Sequence, residues 1–205
     1  MTDSAASRLA QLAGSSLAAW TVAADLGIAA TVAVHTVTQG AAFTSHNVVR
    51  RIAGSDPQLR DQCVVYSTHR DGCGVGPAVG GDSIYNAAAD DAGGIAEMLG
   101  IAAGMHALPH PPRRAVVFVA STVKEDGLLG AEAYAGSPVR PVSRTALAIG
   151  MDVFDAWGAA TAFRNDGFGY TSVDSLLGAL AARRALEYDG VRVRPRRPAV
   201  VIATL

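Results

Sequence analysis

One histidine and a few acidic residues stand where apolar runs of this chain end. His69 follows QCVVYST, Glu125 and Asp126 follow RAVVFVAST within a few residues, and Asp152 closes TALAIGM. Asp90 and Asp91 lie between a glycine-rich stretch and a run of small apolar residues. Imidazole nitrogens and carboxylate oxygens are the donors that hold a divalent ion such as zinc. A carboxylate between two cations can bridge them, as a two-metal hydrolytic site requires. Asp71, two residues after His69, is close enough for its carboxylate to fix the tautomer and orientation of the ring. Plainer roles stay open for each of these residues. A histidine at a strand end commonly makes only structural hydrogen bonds. Asp90 or Asp91 can cap the helix that follows, and Glu125 and Asp126 can favour a helix macrodipole. Asp152 is harder to place without a partner or a metal, because an unpaired acid beside an apolar run is costly.

The elements that must position these residues alternate along the chain. HNVVRRIAG and ATVAVHTV read as strands, and QCVVYST as a buried one. RAVVFVAST reads as a central strand and TALAIGMDV as another. Ala5 to Ala24, Asp91 to His106, GLLGAEAYAG and SVDSLLGALAARRALEY read as helices; Pro109, Pro111 and Pro112 end the second. HRDGCGVGPAVGGDSIYNAAA reads as a long loop, and PAVVIATL as the start of a last strand. Strands alternating with helices predict an α/β layered domain with a largely parallel sheet. Ligands gather beyond the carboxyl ends of such strands, and three polar residues at three strand ends are what a composite site needs there.

Composition sets the frame. The 205 residues suit one domain, and the hydrophobic half of them can bury a substantial core. A net charge of −1 gives no reason to expect nucleic acid or an anionic membrane as partner. The basic stretch VRVRPRRP reads as a solvated edge. Cys63 and Cys73 make neither a disulfide framework nor a zinc ribbon; Cys63 leads an apolar run and should pack in the core. MTDSAASRLAQLAG lacks the basic and apolar regions of a secretory signal, and no apolar run reaches membrane-spanning length. The glycine-rich stretch misses the dinucleotide-binding spacing, since Pro77 stands where the third glycine belongs, and no G-x-S-x-G elbow is present.

Five separated segments, in order, resemble the di-zinc aminopeptidase family, which groups with glutamate carboxypeptidase and transferrin-receptor-like proteins. They are SHNVVRRIAGSDP, VVYSTHRDGCG, GGDSIYNAAADDAGG, PPRRAVVFVASTVKEDGLLG and AIGMDV, together spanning roughly residues 45–180. SRLAQLAGSSLAAW also resembles the segment that follows the family's inserted protease-associated domain. The resemblance implies a three-layer α/β/α sandwich with a mostly parallel mixed sheet. It implies zinc held by His69, Asp90 and Asp152, with Asp90 bridging to a second metal held otherwise by Glu125 and a later histidine. Asp71 would orient His69, and position 124 would carry the general base.

The chain departs from the family pattern at that point. Lys124 stands at the general-base position, Gly72 replaces the second histidine of H-x-D-H, and Asp91 stands where asparagine is usual. A slip making Glu125 the base and Asp126 the ligand is disfavoured, because GLLG fixes the register. No histidine follows His110. The resemblance therefore reads residues 1–205 as one truncated catalytic domain, without the inserted domain and without the C-terminal segment that carries the last ligand. The expectation is a zinc-dependent exopeptidase of aminopeptidase type, acting on terminal peptide bonds, with one zinc site complete and catalysis impaired. The alternative is a pseudo-peptidase that binds a peptide-like ligand. Self-association through an exposed C-terminal strand is also expected. Family members are often exported, and the compartment stays open.

Overall fold

The stretch Ala115–Ser121, AVVFVAS, is buried at every position. Its β-branched residues and phenylalanine suit a strand with both faces covered. In the computed structural model it is flanked on both sides by other strands. The structure describes residues 42–152, 161–165, 168–169, 172–190 and 201–204, and from Thr44 onward these belong to one compact unit. The expected helix at 5–24 and the strand ATVAVHTV lie outside the described residues.

In chain order the strands are β1 (Val48–Ile52), β2 (Cys63–His69), β3 (Gly74–Val79), β4 (Asp82–Tyr85), β5 (Ala115–Ser121), β6 (Thr145–Gly150), β7 (Ala162–Asn165), β8 (Glu187–Gly190) and β9 (Val201–Thr204). The α-helices are α1 (Gly93–His106), α2 (Leu129–Gly136) and α3 (Val173–Arg184). A short π-type turn, Ala88–Ala92, leads into α1. Seven strands form one mixed sheet in the order β1-β5-β2-β6-β9-β7-β8. β5, β2, β6 and β9 run parallel, whereas β1 is antiparallel to β5 and β7 to β9.

The alternation of β5 divides the core in two. Ala115, Val117 and Val119 pack with Cys63 and Val65 on one face, against Tyr134 of α2. Val116, Phe118 and Ala120 pack with Met98 of α1 and Met151 on the other. Helices thus cover both faces of the sheet, the three-layer α/β/α arrangement. Cys63 is fully buried, Cys73 is exposed, and both thiols are free.

Three readings of the sequence need correction. The long glycine-rich loop contains an antiparallel hairpin, β3–β4, with its turn at Gly80 and Gly81, both at positive φ. Its scattered glycines and its proline hide strand periodicity, and most of its residues are exposed. Helix α3 stops at Arg184, because Ala185 turns left-handed at φ 53°, and Glu187 then starts β8. The C-terminal strand is not an open edge. β9 is hydrogen-bonded between β6 and β7, and β1 and β8 form the edges of the described sheet. Among the described residues no helix is long and apolar enough to cross a membrane.

Candidate metal centre

Three neighbouring parallel strands deliver the site. Register pairs His69 with Ser121 across β2 and β5, and Ser67 with Gly150 across β2 and β6. Two residues further on, His69 and Asp152 stand abreast, with His69 Nε2 3.4 Å from Asp152 Oδ1. Asp90 enters from the turn before α1 and places Oδ1 2.8 Å from the same nitrogen. Lys124 and Glu125 arrive from the turn after β5.

His69 is 3% exposed, and its ring is fixed from behind. Nδ1 lies 2.8 Å from the main-chain oxygen of Asp71. A carbonyl only accepts, so Nδ1 donates to it, and Nε2 is the ring nitrogen turned towards Asp90 and Asp152, where its lone pair would be open to a metal in place of a proton. Asp71 therefore does orient His69, but through its backbone; its carboxylate stays 3.8 Å away. That carboxylate has another task. Oδ2 accepts from the Thr122 hydroxyl at 2.6 Å and from the Val123 N–H. Burial pushes the Asp71 carboxyl up, but these donors and His69 together hold it below the usual carboxylate range.

The adjacent acids Asp90 and Asp91 part company, and the peptide bond between them is cis. Asp91 is 1% exposed. It accepts from the Thr68 hydroxyl, from the His69 N–H at 3.2 Å and from the Gly94 N–H at 2.9 Å, at the start of α1. It thus takes the helix-start role that the sequence left open between the two acids, and Asp90 is left facing His69. Gly94 is required here, since a Cβ would collide with the Asp91 carboxylate and the Thr68 hydroxyl.

Lys124 reaches back across the site. Its ammonium lies 3.1 Å from Asp90 Oδ1, 3.1 Å from Glu125 Oε1 and 3.3 Å from Asp152 Oδ2. Val123 and Leu128 bracket the turn with left-handed backbones, at φ 55° and 64°. Such conformations persist only where surroundings over-determine them. Here Asp71 grips Val123, and Asn47 bonds both the Thr122 N–H at 3.1 Å and the Gly130 oxygen at 2.7 Å. Burial pulls the Lys124 ammonium down, but Asp90, Glu125 and Asp152 outweigh it and hold the group above its ordinary range. This works against Lys124 as a proton acceptor. Asp90 is in turn held low: burial raises its carboxyl, and Lys124 and His69 lower it further.

Do these residues suit a metal? Two donor sets come within 4.8 Å among the described residues: His69–Asp90–Glu125 and His69–Asp91–Asp152. The expected trio His69, Asp90 and Asp152 is divided between them, joined at His69. Asp152 Oδ1 is buried with no hydrogen-bond donor. That orphaned oxygen and Nε2 are donors of the right chemistry for a divalent ion, with Asp90 Oδ1 against Nε2 but outside the set that holds Asp152. Lys124 stands among these donors, in contact with Asp90, Glu125 and Asp152, and so competes with any ion for them. A cavity of about 100 Å³ opens beside the centre, lined by Ser67, His69, Lys124, Leu128, Met151 and Asp152 among others.

The sequence reading missed Asn47, Thr68 and Thr122. None carries a motif; only their hydrogen bonds show that they brace the two turns bearing Asp90 and Lys124.

An α/β/α sheet with acids and a histidine at adjoining strand ends defines the class of zinc-exopeptidase-like folds. The chain belongs to peptidase family M28, whose model matches residues 47–195. Solved structures similar to it include a peptidase M28 precursor from Shewanella amazonensis, at 23% identity and a TM-score of 0.58, over 80% of this chain and 36% of that one. An aminopeptidase from an Aneurinibacillus species matches at 22% identity and a TM-score of 0.55, over 72% and 34%. A zinc aminopeptidase from Bacillus subtilis matches at 16% identity and a TM-score of 0.58, over 77% and 39%. The chain spans little more than a third of the length of each. Among curated proteins, none matches it.

Proposed function

We propose that this chain carries the metal-binding part of a zinc-dependent exopeptidase of aminopeptidase type, with one zinc ion held by His69, Asp90 and Asp152. The observation that carries the reading is the buried Asp152 Oδ1, which has no hydrogen-bond donor and lies 3.4 Å from His69 Nε2, the ring nitrogen turned away from the Asp71 carbonyl. Family membership and the aminopeptidases of similar fold support it. Zinc bound there would polarise a scissile carbonyl and acidify an attacking water.

The chain's own residues serve the rest of such a reaction unevenly. Asp71 and Asp91 hold His69 in place from its two sides. The cavity beside Leu128 and Met151 offers an apolar wall to a substrate side chain. No carboxylate stands at position 124 to take the water's proton, and the Lys124 ammonium is committed to three acids. General-base catalysis contributes about 10²–10⁴-fold, so hydrolysis falls short by that order. Lys124 thereby favours the second reading, a chain that binds a peptide-like ligand and turns it over slowly.

Zinc binding and hydrolysis of a leucine anilide, measured on the parent chain and on His69→Ala, test both readings. Zinc affinity falls tens-fold or more in the variant. Unchanged affinity sinks the metal assignment. Robust hydrolysis by the parent that is lost with His69 sinks the slow-turnover reading instead.

A further inference from the structure

Lys124 has no role in a two-metal hydrolytic site, yet it is among the best-held side chains of this one. An ammonium has three donors, and here three carboxylates lie within 3.3 Å of it: Asp90, Glu125 and Asp152. The side chain is 19% exposed. Its backbone is fixed by the left-handed Val123, by Asp71 and by the hydrogen bonds of Gly127 and Leu128 N–H to the Lys124 oxygen. A long side chain held this way has already lost the freedom that normally weakens a surface ion pair.

The ammonium also stands against two of the three ligands in the set His69–Asp90–Glu125. In the other set, Asp91 is saturated by Thr68, His69 and Gly94. The three carboxylates in contact with the ammonium keep two negative charges among them, enough to attract one divalent ion.

We propose that Lys124 is a tethered cation in place of the second metal ion: it holds Asp90, Glu125 and Asp152 together without metal and restricts the centre to one divalent ion. The ion count rests on the zinc reading given above. The tethering does not, because it needs no metal.

The experiment uses the full chain and the variants Lys124→Arg, Lys124→Met and Lys124→Met/Glu125→Gln. Thermal unfolding in EDTA reads the tether. Lys124→Met melts lower than the parent by about 2–4 °C, Lys124→Arg retains most of the parent's melting temperature, and the double variant recovers part of the loss as the crowd of carboxylates thins. Zinc titration with elemental analysis reads the ion count: about one ion for the parent and Lys124→Arg, and a second, weaker ion for Lys124→Met. Two ions on the parent overturn the proposal. So does a Lys124→Met chain that melts like the parent in EDTA and gains no ion. If the parent binds no zinc while the EDTA series behaves as described, the zinc reading fails and the tether stands. If Lys124→Met does not fold while Lys124→Arg does, a cation at this position is required for folding, which supports the tether. If neither folds, the parent's zinc count decides.

Discussion

His69 is held from two sides: its Nδ1 donates a hydrogen bond to the Asp71 main-chain oxygen, and its main-chain N–H donates to the Asp91 carboxylate. The carbonyl of Asp71 survives any side-chain change, so Asp71→Asn leaves the ring's tautomer in place. Its cost appears elsewhere, at the Thr122 and Val123 donors that the carboxylate now grips. Asp71→Asn is expected to lower zinc affinity by about tenfold or less, well short of His69→Ala, and stability by about 1 kcal/mol. Isothermal titration and urea unfolding on the same preparations check both halves. A loss of zinc affinity equal to that of His69→Ala would show that the carboxylate, not the backbone, orients the ring. His69, Glu125 and Asp152 stood out in the sequence as polar residues that end or follow apolar runs, and Asp90 as an acid at the junction of the glycine-rich stretch and the helix. The division of labour within Asp71 was not, since a main-chain acceptor has no residue type to read. The reach of Lys124 was hidden for a related reason: it depends on the left-handed turn at Val123, a conformation that valine's side chain gives no hint of.

At the scale of elements, the site depends on how closely α1 and α2 approach the strand ends. Gly94 and Gly130 permit that approach. A Cβ on Gly94 meets Asp91 and Thr68, and one on Gly130 meets the Thr122 backbone and Asn47. Gly100, on the same helix as Gly94, has nothing within 4 Å of an added Cβ. Gly94→Ala is therefore expected to destabilise by about 1–3 kcal/mol through overpacking. Gly100→Ala is expected to stabilise by about 0.5–1 kcal/mol through lower chain entropy and better helix propensity. Denaturant midpoints for the pair settle it, and equal effects would contradict the packing described. Strands β2 and β5 were readable from their β-branched and aromatic residues, β6 from its short apolar run, and α1 from its proline-marked end. The hairpin β3–β4 and the short β8 were not. The first is rich in glycine, and the second continues a helical pattern that only the left-handed Ala185 interrupts.

Across the whole described unit, the sheet joins segments far apart in sequence, and its loops are tied at the end remote from the site. Ser55 and Asp56 N–H bond the Pro112 and Arg113 oxygens, and Arg113 pairs with the Asp56 carboxylate at 2.7 Å. The Arg113 hydrogen bond, with the Gln58 N–H, holds the Asp56 carboxyl below its usual 3.8. A carboxyl depressed on folding contributes stability that is present above its unfolded value and lost as pH falls through the folded one. NMR titration should place Asp56 below 3.8 and move it upward in Arg113→Ala; no movement would discard the pairing. At this scale the sequence misjudged β9. An apolar terminal run reads as an open edge unless its neighbours are known, and those neighbours, β6 and β7, are set by topology.

The central claim is one metal ion beside a lysine cation. Anomalous diffraction at the zinc edge, from crystals of the full chain grown with excess zinc, tests it most directly. The account predicts a single peak about 2.0–2.2 Å from His69 Nε2 and from a carboxylate oxygen of Asp152, with the Lys124 ammonium still bonded to Glu125. Two peaks at the centre, or one peak between Asp90 and Glu125 with Lys124 displaced, would contradict it.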